Sequence, residues 1–244
     1  MVSTSIATAS TRWRRRKDAR PGEIVAAALA CFAERGFAAT RLDDVAKRAG
    51  VTKGTLYLYF SNKEDLFKAV VRQSVVANIA FSEALVDESP EPAPVVLEQL
   101  VARLSAAVVA PASAIPKIVI AEAGNFPDIA RFYLEEVIHR GLDLFRKLLK
   151  LGIARGEFAA MDVDATAYCI VAPMVMGMLW RHSFERLEKR PFDADAMCRA
   201  HLHLVASGLE PPRKASHEAR VPPSVKPSAS SRAKPQRRRN GAGR

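Results

Sequence analysis

Apolar residues recur three and four apart along most of the 244-residue chain, and no strict alternation marks a strand. The pattern predicts an all-α protein of about nine helices. Ile24, Ala28, Cys31 and Phe32 share the inner face of a first helix. Leu42, Val45, Ala46 and Ala49 do the same for a short second one. Thr40 is placed to cap it, with Asp43 able to return the bond and Asp44 in the positive first turn. Gly50 then supplies the left-handed backbone of a tight exit. Thr52 can cap a third short helix, in which Leu56, Tyr59 and Phe60 lie on one side and Lys53, Gly54, Tyr57, Leu58 and Ser61 on another. Ser61-Asn62-Lys63-Glu64 reads as a capping box that opens a long amphipathic helix through Leu66, Phe67, Val70 and Val71.

The segment from Val86 to Pro94 breaks that helix. Further helices are expected over 95–109, 115–123 and 126–151, with Gly152 and Gly156 ending the third. Asp162 or Asp164 opens the next, kinked near Pro173, and the last runs over 193–207.

Two short helices crossing at Ala49-Gly50-Val51, followed by a capped third, have the layout of a helix-turn-helix reading head, which points to DNA as partner. Lys53 can reach guanine O6 and N7, Thr55 and Leu58 can meet a thymine methyl, and Gly54 lets the backbone come close. Tyr57 and Lys63 suit phosphates, which set register rather than sequence. The bland alternative is a helical hairpin with a solvated Lys and Tyr.

Gly50-Val51-Thr52-Lys53-Gly54-Thr55-Leu56-Tyr57-Leu58-Tyr59-Phe60, followed by Asn62-Lys63-Glu64-Asp65-Leu66, closely resembles the TetR family signature. The match spans residues 21–68 and includes Ala28, Phe32, Gly36, Phe37 and Thr40; the remainder is similar mainly in helical character and length. The resemblance implies a homodimeric regulator, usually a repressor released by a small molecule. By position in the motif it implies that Lys53, Gly54, Thr55, Leu58 and Tyr59 face bases and that Thr40, Thr52, Tyr57 and Lys63 hold phosphates. For Tyr59 the helix-wheel reading points inward instead. The expected organisation is a basic disordered arm over 1–20, a helix-turn-helix DNA-binding domain over 21–68, a helical effector-binding and dimerisation domain over 69–209, and a basic Pro-rich disordered tail over 210–244.

The net charge of +11 sits at the ends: residues 21–210 hold 21 basic and 24 acidic side chains, whereas 1–20 carry +5 and 211–244 carry +9. Such arms bind any duplex by counterion release and carry little sequence information. They leave open a second reading, a non-specific architectural DNA binder. The complete reading head speaks against it. Cys31, Cys169 and Cys198 form no CxxC, which fits buried thiols in a reducing compartment.

Two apolar helices late in the chain suggest a dimer through a four-helix bundle, with Val175, Met178, Leu179, Leu202 and Val205 as candidate interface residues. The DNA target is then a near-palindrome. For an effector pocket the candidates are Leu100, Leu104, Phe126, Phe132, Tyr133, Tyr168, Met174 and Met178, favouring an apolar or aromatic ligand, with Glu122 able to face it. No Gly-x-Ser-x-Gly, phosphate-cradling Gly loop or His-Glu-x-x-His is present, so no enzyme and no cofactor is expected. His201 and His203 would diverge on a helix, which argues against a metal site. The Leu29-Ala30-Cys31 stretch is a poor export signal, and the longest apolar run, residues 165–180, falls short of the roughly 20 residues of a membrane span. A cytoplasmic protein is expected.

Overall fold

The computed structural model describes the backbone of residues 5–190 and 192–211, with side chains from Arg20 onward; the basic tail beyond Pro211 and the arm's side chains lie outside the described residues. Among the described residues all regular structure is helical, in nine helices: α1 (Ser5–Ala39), α2 (Leu42–Arg48), α3 (Lys53–Tyr57), α4 (Lys63–Glu88), α5 (Ala93–Val109), α6 (Ile115–Glu122), α7 (127–154), α8 (Val163–Ser183) and α9 (Ala194–Leu209). The backbone of 5–20, expected as an arm, continues α1 through Pro21.

Several expected caps are present. Thr52 accepts from the Thr55 N–H, Asp162 from Ala165 and Asp193 from Ala196. Two differ. Thr40 does not cap α2, whose N-cap is Arg41; its buried hydroxyl instead donates to the carbonyls of Gly36 at 2.7 Å and Cys31 at 3.2 Å, closing the end of α1. The α4 cap shifts one residue, so that Asn62 accepts from Asp65 N–H at 2.7 Å and the Asp65 carboxylate takes the Ser61 N–H. Gly50 adopts the expected left-handed φ of 65°, and Gly156 ends α7 at φ 71°. Gly152 does not end it: the residue is buried inside α7, with the Phe158 ring against its α-carbon.

Phe32, Phe37 and Phe67 form a ring cluster with centroids 5.3–5.6 Å apart at the centre of α1, α2, α3 and α4. Ile115, Ile118, Val119, Ile129, Phe132 and Tyr133 from α6 and α7 join this same core. The head therefore shares its interior with the following helices, and no seam in the packing lies between residues 68 and 69. A second core gathers Leu97, Leu100, Phe145, Leu148, Leu149 and Ile170 from α5, α7 and α8. Both long helices carry one π-helical turn, Arg72–Val76 in α4 and Leu134–His139 in α7, and the two turns touch. Arg140 then ties α7 to α4 through a two-pronged bond to Glu83 at 2.7 and 3.1 Å.

By length and composition α4 and α8 could each cross a bilayer, in contrast to the expectation drawn from the 16-residue run. In the fold, Leu66, Phe67, Val70 and Val71 of α4 enter the head core, and Ala167, Ile170, Met174 and Gly177 of α8 are buried against neighbouring helices. Cys169 is exposed, unlike the other two cysteines.

Candidate nucleic-acid interface and ligand cavities

α3 is seated by Leu56, fully buried, and Phe60, while Thr52, Lys53, Gly54, Tyr57 and Leu58 lie open on its other side. Leu58 is 82% exposed, an apolar side chain held in water at the end of a reading helix. Thr55 is half-buried, its hydroxyl 2.9 Å from that of Thr52. Lys53 leans on Asp43 of α2 at 2.8 Å, and that carboxylate holds its ammonium above the usual lysine range.

Three of the expected contacts are placed differently. The hydroxyl of Thr40 is spent inside the head and the residue is 2% exposed, so the hydroxyl is turned away from the outer face. Tyr59 is half-buried against the head core, as the helix wheel predicts, because the chain turns after Tyr57 and carries its ring inward. Lys63 donates to the carbonyls of Phe37 at 2.8 Å and Ala38 at 2.9 Å, and sits 4.5 Å over the Phe37 ring. Burial pulls its ammonium below the ordinary range. Two of its three N–H groups thus secure the corner between α1 and α2, leaving one for an outside partner.

That corner is held from the other side by Glu122 of α6, whose carboxylate accepts the Ala38 N–H at 3.1 Å and an Asn125 N–H at 3.3 Å. Phe126 packs edge-on against Phe37, centroids 4.8 Å apart. The α2 register is further fixed by Arg35–Asp44 and Arg48–Glu34, both at 2.7 Å. None of these four contacts has a local sequence signal, since the partners are 9 to 89 residues apart.

The residues expected to line one effector pocket are dispersed. Leu100 is in the second core; Phe126, Phe132 and Tyr133 belong to the head core, where burial pushes the Tyr133 phenol up; Tyr168 is exposed. Packing on different faces of α5, α7 and α8 separates them. Leu104, Met174 and Met178 meet around Val108, Ala194 and Cys198, away from the aromatic three. One surface cleft, about 620 Å³, lies between the end of α1, α6 and the end of α8, and has Glu122 on its wall. Others of about 460 and 400 Å³ lie beside Phe158 and Leu202 and beside Trp180 and Phe192. In the large cleft His182 Nε2 is 2.8 Å from the Ser113 hydroxyl. That hydroxyl gives its one hydrogen to Ala110 O at 2.6 Å, so Nε2 must be the donor to it. His201 Nε2 is 2.9 Å from the Ile170 carbonyl, and no group of three metal-binding side chains occurs among the described residues.

Residues 24–70 match the model of bacterial regulatory proteins of the tetR family, and residues 97–190 that of a tetracyclin repressor-like C-terminal domain. Over 196 residues the chain is 32% identical to the HTH-type transcriptional repressor KstR2 of Mycobacterium tuberculosis, covering 79% of this chain and 94% of that protein. The solved structure of that ketosteroid transcriptional regulator superposes with a TM-score of 0.61 at 26% identity, over 78% of this chain and 95% of the other. A TetR-family regulator from Mesorhizobium loti gives 0.63 at 23% identity, over 80% and 98% of the two chains. FadR of Bacillus subtilis, solved with stearoyl-CoA, gives 0.56 at 22% identity, over 77% and 98%. The last two show a shared fold.

Proposed function

The chain belongs to the TetR family of transcriptional regulators, and within it we propose a homodimeric repressor that binds a near-palindromic operator and is released by a small apolar effector. The observation that carries the DNA-reading part is Gly54. An added Cβ there would meet nothing nearer than Thr52 Oγ1 at 3.9 Å, and the residue needs no positive φ. The protein's own packing therefore has no use for glycine in the second position of α3, where it costs about 1 kcal/mol of helix stability relative to alanine. A partner that approaches the backbone at that point does have a use for it. Lys53, Thr55 and Leu58 beside it supply base-edge chemistry, and Thr52, Tyr57 and the remaining N–H of Lys63 supply phosphate contacts.

The dimer is supported by the outward stripe at four-residue spacing on α8 and α9: Tyr168, Ala172 and Met176, then Ala196, Ala200 and Leu204. Tyr168, Met176 and Leu204 are 55%, 59% and 69% exposed, more apolar surface than a lone helix pair keeps in water. Of the interface candidates from periodicity, all half-buried, Met178, Leu202 and Val205 pack against the cores, while Val175 and Leu179 join none of them. Two copies would bury the stripe in a four-helix bundle and set two α3 helices on one face of a duplex. An apolar effector suits Leu104, Met174 and Met178, where methionines can yield to a guest. The relatives named for a ketosteroid and solved with stearoyl-CoA point to the same ligand character. Ligand binding would shift the population of head positions, through the core that α6 and α7 share with the head.

Sedimentation of the protein with a duplex carrying its selected sequence tests the assembly. Two chains per duplex are expected, and the M176E/L204E variant should sediment as a folded monomer that no longer binds specifically. A variant that stays dimeric contradicts the interface.

A further inference from the structure

The cleft of about 620 Å³ has no part in the reading surface, yet its volume is that of a site for a small organic ligand. The last turn of α1 forms one wall, α6 the opposite one, and the end of α8 with the following turn Glu185–Leu187 the third. Phe32, Phe37, Ala114 and Ile118 lie buried beneath it, and the surface it presents is more polar than apolar.

The charge on its rim is lopsided. Glu34 and Arg35 are engaged with Arg48 and Asp44 on α2. Glu122 is occupied by the Ala38 and Asn125 N–H groups. On the third wall Arg181 stands 3.9 Å from Glu185, a long contact. Lys117 is held by the carbonyl of His182, and neither it nor Arg186 has an acidic partner among the described residues. His182 feels the same field: burial first, then the positive charges of Arg181, Lys117 and Arg186 against the single opposing Glu185, hold its ring below the ordinary histidine range. One side of the cleft is thus cationic, with small apolar side chains, Ala33 and Ala121, on the others.

We propose that this cleft binds a small organic anion, a carboxylate, sulfonate or phosphate carried on an aromatic or aliphatic body. The acid group is placed at Lys117 and Arg186, and the body across the cleft against the exposed Ala33 and Ala121. The occupant touches α1 and α6 together, beside the corner that Glu122 and Lys63 secure. The assignment stands on the cleft alone and does not require that the protein be a repressor.

Titration of the full-length protein with 8-anilinonaphthalene-1-sulfonate, followed by fluorescence, tests it, with hydrogen exchange locating the bound probe. Exchange should slow over 32–37, 114–122 and 181–186. The K117Q/R186Q variant should lose about tenfold or more in affinity, the loss of charge-assisted contacts, while K117R stays near wild type. The exposed R186Q alone should lose part of it. Uncharged N-phenyl-1-naphthylamine should bind wild type and double variant alike. Equal sulfonate affinity in wild type and double variant, or protection confined to other segments, overturns the assignment.

Discussion

Replacing Gly54 by alanine should move stability and DNA binding in opposite directions. α3 has only five residues, Lys53–Tyr57, so a flexible glycine inside it weighs heavily. Alanine is favoured over glycine in an exposed helix interior by about 1 kcal/mol. The site has room, because the nearest heavy atom to the new methyl is Thr52 Oγ1 at 3.9 Å, ordinary van der Waals contact. The folded protein should therefore gain about 0.5–1 kcal/mol, raising Tm by roughly 1–4 °C for a chain of this size. The methyl points out of the face that carries Lys53 and Leu58, into the space that a groove wall would fill. Overpacking a close contact costs about 1–3 kcal/mol, or roughly five- to a hundredfold in operator affinity. Thermal unfolding with fluorescence anisotropy on a labelled operator duplex measures both quantities on one preparation. A variant that is more stable and binds its operator as well as wild type would refute the reasoning, because Gly54 would then lie away from the DNA.

The same substitution at Gly152 should do the reverse: a Cβ there would fall 2.1 Å from the buried Phe158 ring, so Gly152→Ala should lower stability by about 1–3 kcal/mol in denaturant unfolding, despite alanine's helix preference. Asp43→Asn frees Lys53 from a partner at 2.8 Å and removes a negative charge near the phosphates. An exposed pair of this kind contributes little, so stability should hardly change, while duplex affinity at low salt should rise about threefold. His182 titrates below its ordinary 6.5 in the folded state, chiefly because of burial. Its neutral form is favoured by folding, so the stability it contributes is complete above that value and is lost as pH falls through the depressed one. His182→Gln should lose less stability than wild type as pH falls from about 7 to 5 in denaturant titrations.

Periodicity and caps carried much of the fold. Thr52, Asp162 and Asp193 cap their helices where short-range chemistry places them, because a cap needs only partners three residues away. Thr40 went elsewhere because the left-handed break at Gly36 brings that residue's carbonyl within 2.7 Å of its hydroxyl. The outward face of α3 was legible for the same local reason. Lys63 and Glu122 were not: their bonds to Phe37 and Ala38 cross 25 to 84 residues, and nothing local distinguishes them from solvated charges. The effector candidates failed to converge because aromatic and methionine side chains at helical spacing fill whichever core their helix face meets. Phe132 and Leu100, both apolar and both buried, ended in different ones.

The central claim, that α3 reads sequence, is tested most directly by selecting bound duplexes from a random pool at physiological salt with the wild-type protein and with Lys53→Ala. Wild type should enrich a near-palindrome. With Lys53→Ala the preference should relax at one base pair of each half-site, a loss of about 1–3 kcal/mol there. Salt-sensitive binding without enrichment, or an enriched sequence indifferent to the substitution, would contradict it.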